Sequence, residues 1–183
     1  MVTLDRFLIC LAALSLTALL FIFPVAANPM PGQGSFQFTL KGHVVNGLLE
    51  DPVIQPDGTI TMQMVISDSI STSFGSIPVN GNGVWQGMQA GSAVSGTING
   101  VTGTVQACFI FLCGNVTYVG SGLWMGTITT STIPGALTTL PLASGTFSGT
   151  ITFTSSPFPG VPLNTPQPVT GTWNVQLIQQ LPS

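Results

Sequence analysis

Charge is the scarcest property of this chain. Its 183 residues include two Lys or Arg, five Asp or Glu and a single His, for a formal net charge of −3. From Ser69 to Ser183 there is no Asp, Glu, Lys, Arg or His at all. An average domain is about one-quarter charged, so the surface has to be built from Thr, Ser, Asn, Gln and Gly. Nucleic-acid binding is excluded, because neutralising phosphates takes Lys or Arg and only Lys41 remains beyond residue 27. Acid–base catalysis needs a group that holds and releases a proton near neutral pH. Past residue 27 the acidic and basic side chains are Lys41, His43, Glu50, Asp51, Asp57 and Asp68 alone. No catalytic residue, cofactor or metal ligand is therefore assigned, and the chain reads as non-enzymatic. A surface with so little charge also lacks the repulsion that keeps ordinary proteins apart. Self-association, or contact with another surface, is the partner class expected.

A helical period is missing too. Alternation takes its place: Phe36, Phe38 and Leu40 share one face, and Ile60, Met62, Met64 and Ile66 share another. Trp173, Val175 and Leu177 repeat the pattern near the end of the chain. Period-2 alternation in Thr-, Val-, Ile- and Phe-rich stretches is the mark of half-buried strands. Turn-type dipeptides punctuate them at Asn46-Gly47, Asp57-Gly58, Asn80-Gly81, Asn82-Gly83 and Asn99-Gly100. The fold class predicted is all-β, an antiparallel sandwich or barrel of about 9–10 strands, hairpin-rich and formed by one domain over 35–183. The strands are placed at 34–46, 58–67, 70–78, 83–90, 92–98, 101–108, 113–119, 122–131, 144–154 and 169–179. Prolines between Ser155 and Pro168 predict a crossing loop.

The tetrapeptide Gly-Thr-Ile-Thr starts at Gly58, Gly126 and Gly149, with relatives at Gly96 and Gly171. The intervals between these starts are uneven, whereas a solenoid needs a nearly fixed period. Each copy is read locally, with Gly closing a turn or relieving crowding, Thr facing solvent and Ile or Trp entering the core.

Residues 1–27 carry an export pattern: an apolar run from Leu8 to Phe23, then Val25 and Ala27 at positions suited to signal peptidase. Residues 28–34 are read as a flexible lead-in. Later apolar stretches are too short to span a bilayer, so no integral membrane segment is expected after cleavage. The chain is placed in the secreted, extracellular or cell-surface compartment.

In that compartment Cys108 and Cys113 are expected to form a disulfide, stapling a hairpin loop over 109–112. That loop is unusual in holding Phe109, Ile110, Phe111 and Leu112, all apolar. Either another element buries it, or it projects as a knob that meets a partner. Asn115-Val116-Thr117 is an N-glycosylation sequon. Glu50, Asp51, Asp57 and Asp68 leave open either a solvated acidic edge or a calcium site. A His43–Glu50 or His43–Asp51 pair facing across a hairpin at Asn46-Gly47 is the remaining arrangement with any chemistry in it.

Trp85 and Trp124 both stand in Gly-x-Trp-x-Gly, and Trp173 in Gly-Thr-Trp-Asn. Flanking glycines leave room for a ring to lie flat across a neighbouring strand. The function expected is that of an extracellular filament, coat or matrix subunit, assembling by strand addition from the segment after the lead-in. The alternative is a small-ligand or carbohydrate-binding barrel in which Trp85, Trp124 and Trp173 line the site.

Overall fold

The structure is a computed structural model that describes residues 32–40, 43–72, 75–109, 112–131 and 140–180. The strands are β1 (Gly34–Leu40), β2 (His43–Ile54), β3 (Thr59–Thr72), β4 (Gly75–Ala90), β5 (Ala93–Phe109), β6 (Leu112–Ser131), β7 (Leu140–Ser155), β8 (Pro166–Gln176) and β9 (Ile178–Gln179). From β1 to β8 each strand pairs antiparallel with the next, and β8 returns to pair with β1. The result is a closed, up-and-down, eight-stranded barrel. β9 is a short addition that runs parallel to the end of β2. Of the two architectures compatible with the sequence, the barrel is the one formed, and no helix occurs among the described residues.

The observed strands are longer and fewer than those read from the sequence, because most Asn-Gly pairs lie within strands. Asn46-Gly47 is inside β2, where Phe36 of β1 faces Gly47 directly. A Cβ at Gly47 would fall on the Phe36 ring, so glycine is needed there for packing and not for a turn. Asn80-Gly81 and Asn82-Gly83 lie inside β4 for the same kind of reason. Asn99-Gly100 makes a bulge in β5, with Gly100 at φ +60° and a register shift between Ile98 and Val101. Inward residues change there from even to odd positions, Val94 and Ile98 giving way to Val101, which is why one strand reads as two in the sequence. Asp57-Gly58 alone makes the predicted turn, with Gly58 at φ +86°. Strand β1 opens at Gly34, where the sequence placed the start of the first strand.

Most large apolar side chains point inward and most Thr, Ser, Asn and Gln outward, with Val44, Leu48, Met88, Val119, Leu123, Met125 and Leu142 as exposed apolar exceptions. This polarity is the reverse of a membrane-spanning barrel, which carries its apolar band outside. The middle of the barrel is aromatic. Trp124 and Trp173 meet edge to face at 5.3 Å, and Trp85 lies 5.6 Å from Phe147 and 5.9 Å from each of the other two indoles. Such pairs add about 0.5–1.5 kcal/mol each beyond area burial.

One packing unit recurs three times in this core. Trp124 on β6 faces Gly96 on β5, which faces Gly87 on β4. The indole lies across both glycines and its Nε1–H donates to the Gln86 carbonyl at 3.3 Å. Trp173 on β8 crosses Gly145 and Gly126 and donates to the Met125 carbonyl at 3.3 Å. Tyr118 on β6 crosses Gly103 and Gly81 and donates to the Asn80 carbonyl at 2.8 Å. In each case the carbonyl just before the far glycine accepts, and Trp173 shares its Nε1–H with the Thr146 carbonyl at 3.2 Å as well. A Cβ at Gly126 would sit 2.7 Å from Trp173 Cζ2, so the ring and the paired glycines form one device. The Gly-Thr repeat belongs to it: Gly96 and Gly126 lie under rings, while Thr97 and Thr127 face out.

The two ends of the barrel differ. At the end where β2 passes to β3, β9 pairs Ile178 with Val53 and Gln179 with Ile54. Leu177 is buried and donates its N–H to the Pro141 carbonyl at 3.0 Å. At the other end, β3–β4 and β5–β6 run on past their neighbours as projecting hairpins. β3 has no β2 partner after Val65, and β6 has no β7 partner before Thr117.

Candidate functional site

The hairpin end holds an apolar depression of about 230 Å³ lined by Ile70, Val105, Val116, Phe153, Gly160, Val161 and Pro162. Four strands supply its walls, and the loop after β7 supplies its rim. Phe153 pairs with Leu163 through an isolated bridge, and Asn164 donates its N–H to the Phe153 carbonyl at 2.8 Å. The predicted crossing loop is thus an ordered flap across the mouth. Nothing in the sequence singled out these residues, because they come from segments far apart in the chain.

The acidic and basic residues do not converge. β2 is one continuous strand, so His43 and Glu50 lie seven residues apart along it, roughly 23 Å at about 3.3 Å per residue. The hairpin proposed at Asn46-Gly47, which would have brought them together, does not form. Glu50-Asp51-Pro52 makes a bulge, with a register shift against β3 and Asp51 at φ 50°. Asp tolerates that conformation, and Pro is accepted at a bulge because no ladder bond is needed there. Asp57 accepts the Thr59 N–H at 2.9 Å, and this bond holds its carboxyl below the usual carboxylate range. Asp68 accepts the Asn46 N–H at 2.7 Å and the Ser69 N–H at 2.7 Å. It bridges β2 and β3 where their backbones have stopped pairing. Among the described residues no three His, Cys, Asp or Glu side chains come together as a metal site would require. Lys41 lies outside the described residues.

Cys108 and Cys113 are disulfide-bonded and directly opposed in the β5–β6 ladder. The hairpin is tighter than the four-residue loop expected, since Phe109 pairs with Leu112. Ile110 and Phe111 lie outside the described residues. Leu112 is 48% exposed, so at this position the tip is not covered by another element. Asn115 is exposed and faces Gln106.

Trp85, Trp124 and Trp173 are 0%, 1% and 3% exposed and pack on one another in the barrel centre. Trp85 Nε1 is buried with no hydrogen-bond partner among the described residues, whereas the other two indoles are satisfied by carbonyls. Tyr118 is likewise enclosed, and burial pushes its phenol up to about 12. Beside this core lies an apolar cavity of about 40 Å³, walled in part by Phe36, Phe38 and Phe147 and by none of the indoles.

The outer wall across β5 to β8 is uncharged. Leu123 faces Thr97 on one side and Ser148 on the other, and Met125 faces Ser95 and Thr146. Leu123 and Met125 are 56% and 59% exposed. They edge a shallow depression of about 380 Å³ floored by Thr146, Ser148, Thr170 and Thr172. The segment expected to donate a strand, Gly34–Leu40, pairs with β2 along its length, and Gly34–Phe38 pairs with β8 as well.

Comparison with known protein families, with curated proteins and with solved structures finds no match to this chain.

Proposed function

We propose that the protein is a secreted, non-enzymatic structural subunit of an extracellular coat, filament or matrix, and that it associates through its outer wall. The observation that carries this reading is the uncharged wall around Leu123 and Met125, set on a barrel whose interior is filled by its own aromatic side chains. A wall of Thr and Ser that also exposes Val119, Leu123, Met125 and Leu142 has little charge to oppose contact with another copy. Strand addition through Gly34–Leu40 is the less economical route, since that strand would first have to leave two ladders. The disulfide suits an oxidising compartment.

Sedimentation velocity of the exported chain over a wide concentration range tests the reading. Concentration-dependent association, weakened by the double change Leu123→Lys and Met125→Lys, is the expected result. A monomer at every concentration overturns it.

A small-ligand reading has one observation in its favour, the 230 Å³ apolar depression at the hairpin end, because barrel mouths are frequent ligand sites. A ligand there would meet Ile70, Val116 and Phe153 and not the indoles. Titration with short-chain apolar compounds, followed by chemical shifts of those residues, decides it.

A further inference from the structure

The recurring packing unit has a fourth set of glycines with no ring above them. Gly122 on β6 faces Gly149 on β7, and Gly149 faces Val169 on β8. This is the same three-strand register in which Trp173 covers Gly145 and Gly126. At Val169 the covering side chain is too short to cross two glycines. The cavity of about 40 Å³ lies at that place, with Gly122, Gly149, Val169, Ile98, Ile66 and Phe38 among its walls. Its origin is therefore the missing ring.

The walls are almost wholly apolar. A water molecule has a share of about 30 Å³ in the liquid and needs two to four polar partners to stay in a cavity. This space is large enough for water and offers it almost nothing to bond. Apolar cavities of this kind stay dry and take up apolar guests such as xenon. An atom placed there regains dispersion contacts that the walls otherwise lack.

We infer that the space over Gly122 and Gly149 is a binding site for one small, uncharged, apolar molecule, of the size of xenon or dioxygen. The inference is independent of how the outer wall is used. It rests on the register of three strands and on the chemistry of the walls.

The test uses xenon as the probe. Xenon NMR of the folded chain is expected to show a saturable shift with xenon concentration, and protein chemical shifts at Ile98, Gly149 and Val169 are expected to move together. Val169→Phe, which supplies a ring at the uncovered position, is expected to weaken binding by about tenfold or more, equivalent to about 1.4 kcal/mol. Val169→Leu, a smaller intrusion, provides the same readout if the phenylalanine is not accommodated. A purely linear xenon response in the wild-type chain overturns the inference. So does a saturable response that a folded Val169→Leu or Val169→Phe variant leaves unchanged.

Discussion

The two ends of the barrel are made from the same antiparallel meander, yet one is sealed and the other is left open. At the sealed end β8 bends at Leu177 and continues as β9 onto β2, in parallel. Strand β1 begins too late to separate β8 from β2 there, so the two can be joined directly. Leu177, Pro52 and Ile54 are buried together with the Pro141 and Ile54 carbonyls satisfied. At the hairpin end the long strands outrun their neighbours, and an apolar floor of Ile70, Val116 and Phe153 is covered only by a loop. A closed barrel removes strand edges along its wall, but it leaves its ends to be solved separately. Here one end is solved by packing and the other by a flap, a disulfide and projecting hairpins, which is where sites tend to be placed.

The sharpest way to break the comparison is to open the sealed end. Leu177→Ala is expected to cost about 2–5 kcal/mol in urea denaturation, whereas Leu112→Ala at the exposed hairpin tip should stay within about 0.5 kcal/mol. Equal effects at the two positions would remove the distinction. Between them falls the middle of the barrel. Gly126→Ala should cost about 1–3 kcal/mol, since its Cβ meets the Trp173 ring, and tryptophan emission should shift as the indole is displaced. Replacing both cysteines with Ser should cost about 2 kcal/mol at most on the chain-entropy account of a short closed loop. Limited proteolysis would then cut first in the β5–β6 hairpin while the rest of the barrel stays protected.

The smallest effect belongs to Asp57 in the sealed-end turn. Its folded carboxyl is held below the usual range by the Thr59 N–H. The contribution is thus present above the ordinary carboxylate value and lost as pH falls through the lowered folded value. Asp57→Asn should flatten that part of an acid titration of stability and leave neutral pH nearly unchanged. A variant with the same acid dependence as the wild type would show that the bond has no energetic consequence.

The indoles give a second contrast. Trp173 and Trp124 donate to carbonyls, and Trp85 does not. Trp173→Phe should therefore destabilise more than Trp85→Phe, because the first loses hydrogen bonds to the Met125 and Thr146 carbonyls while the second removes a buried donor that has no partner.

Much of the wall was legible in the sequence. Alternation at Ile60, Met62, Met64 and Ile66 requires one buried face, and the Thr of each Gly-Thr copy was read as outward, as Thr97, Thr127, Thr150 and Thr172 are. The Cys108–Cys113 pairing followed from compartment and spacing. The hairpin-end depression was not legible, because Ile70, Val105, Val116, Phe153 and Val161 look like ordinary core residues until closure brings them to one mouth. The Asn-Gly dipeptides misled for a physical reason. A turn preference is worth little against a strand in which the same glycine admits the Phe36 or Tyr118 ring.

By itself the sequence determined the all-β class, the uncharged exterior and the disulfide, since alternation, composition and cysteine spacing act locally. Tertiary structure alone decided that the sheet closes, that its two ends differ, and which ring lies over which glycines. Those rings come from two strands away, so their partners depend on the register of two successive strand pairings, which only the assembled sheet fixes.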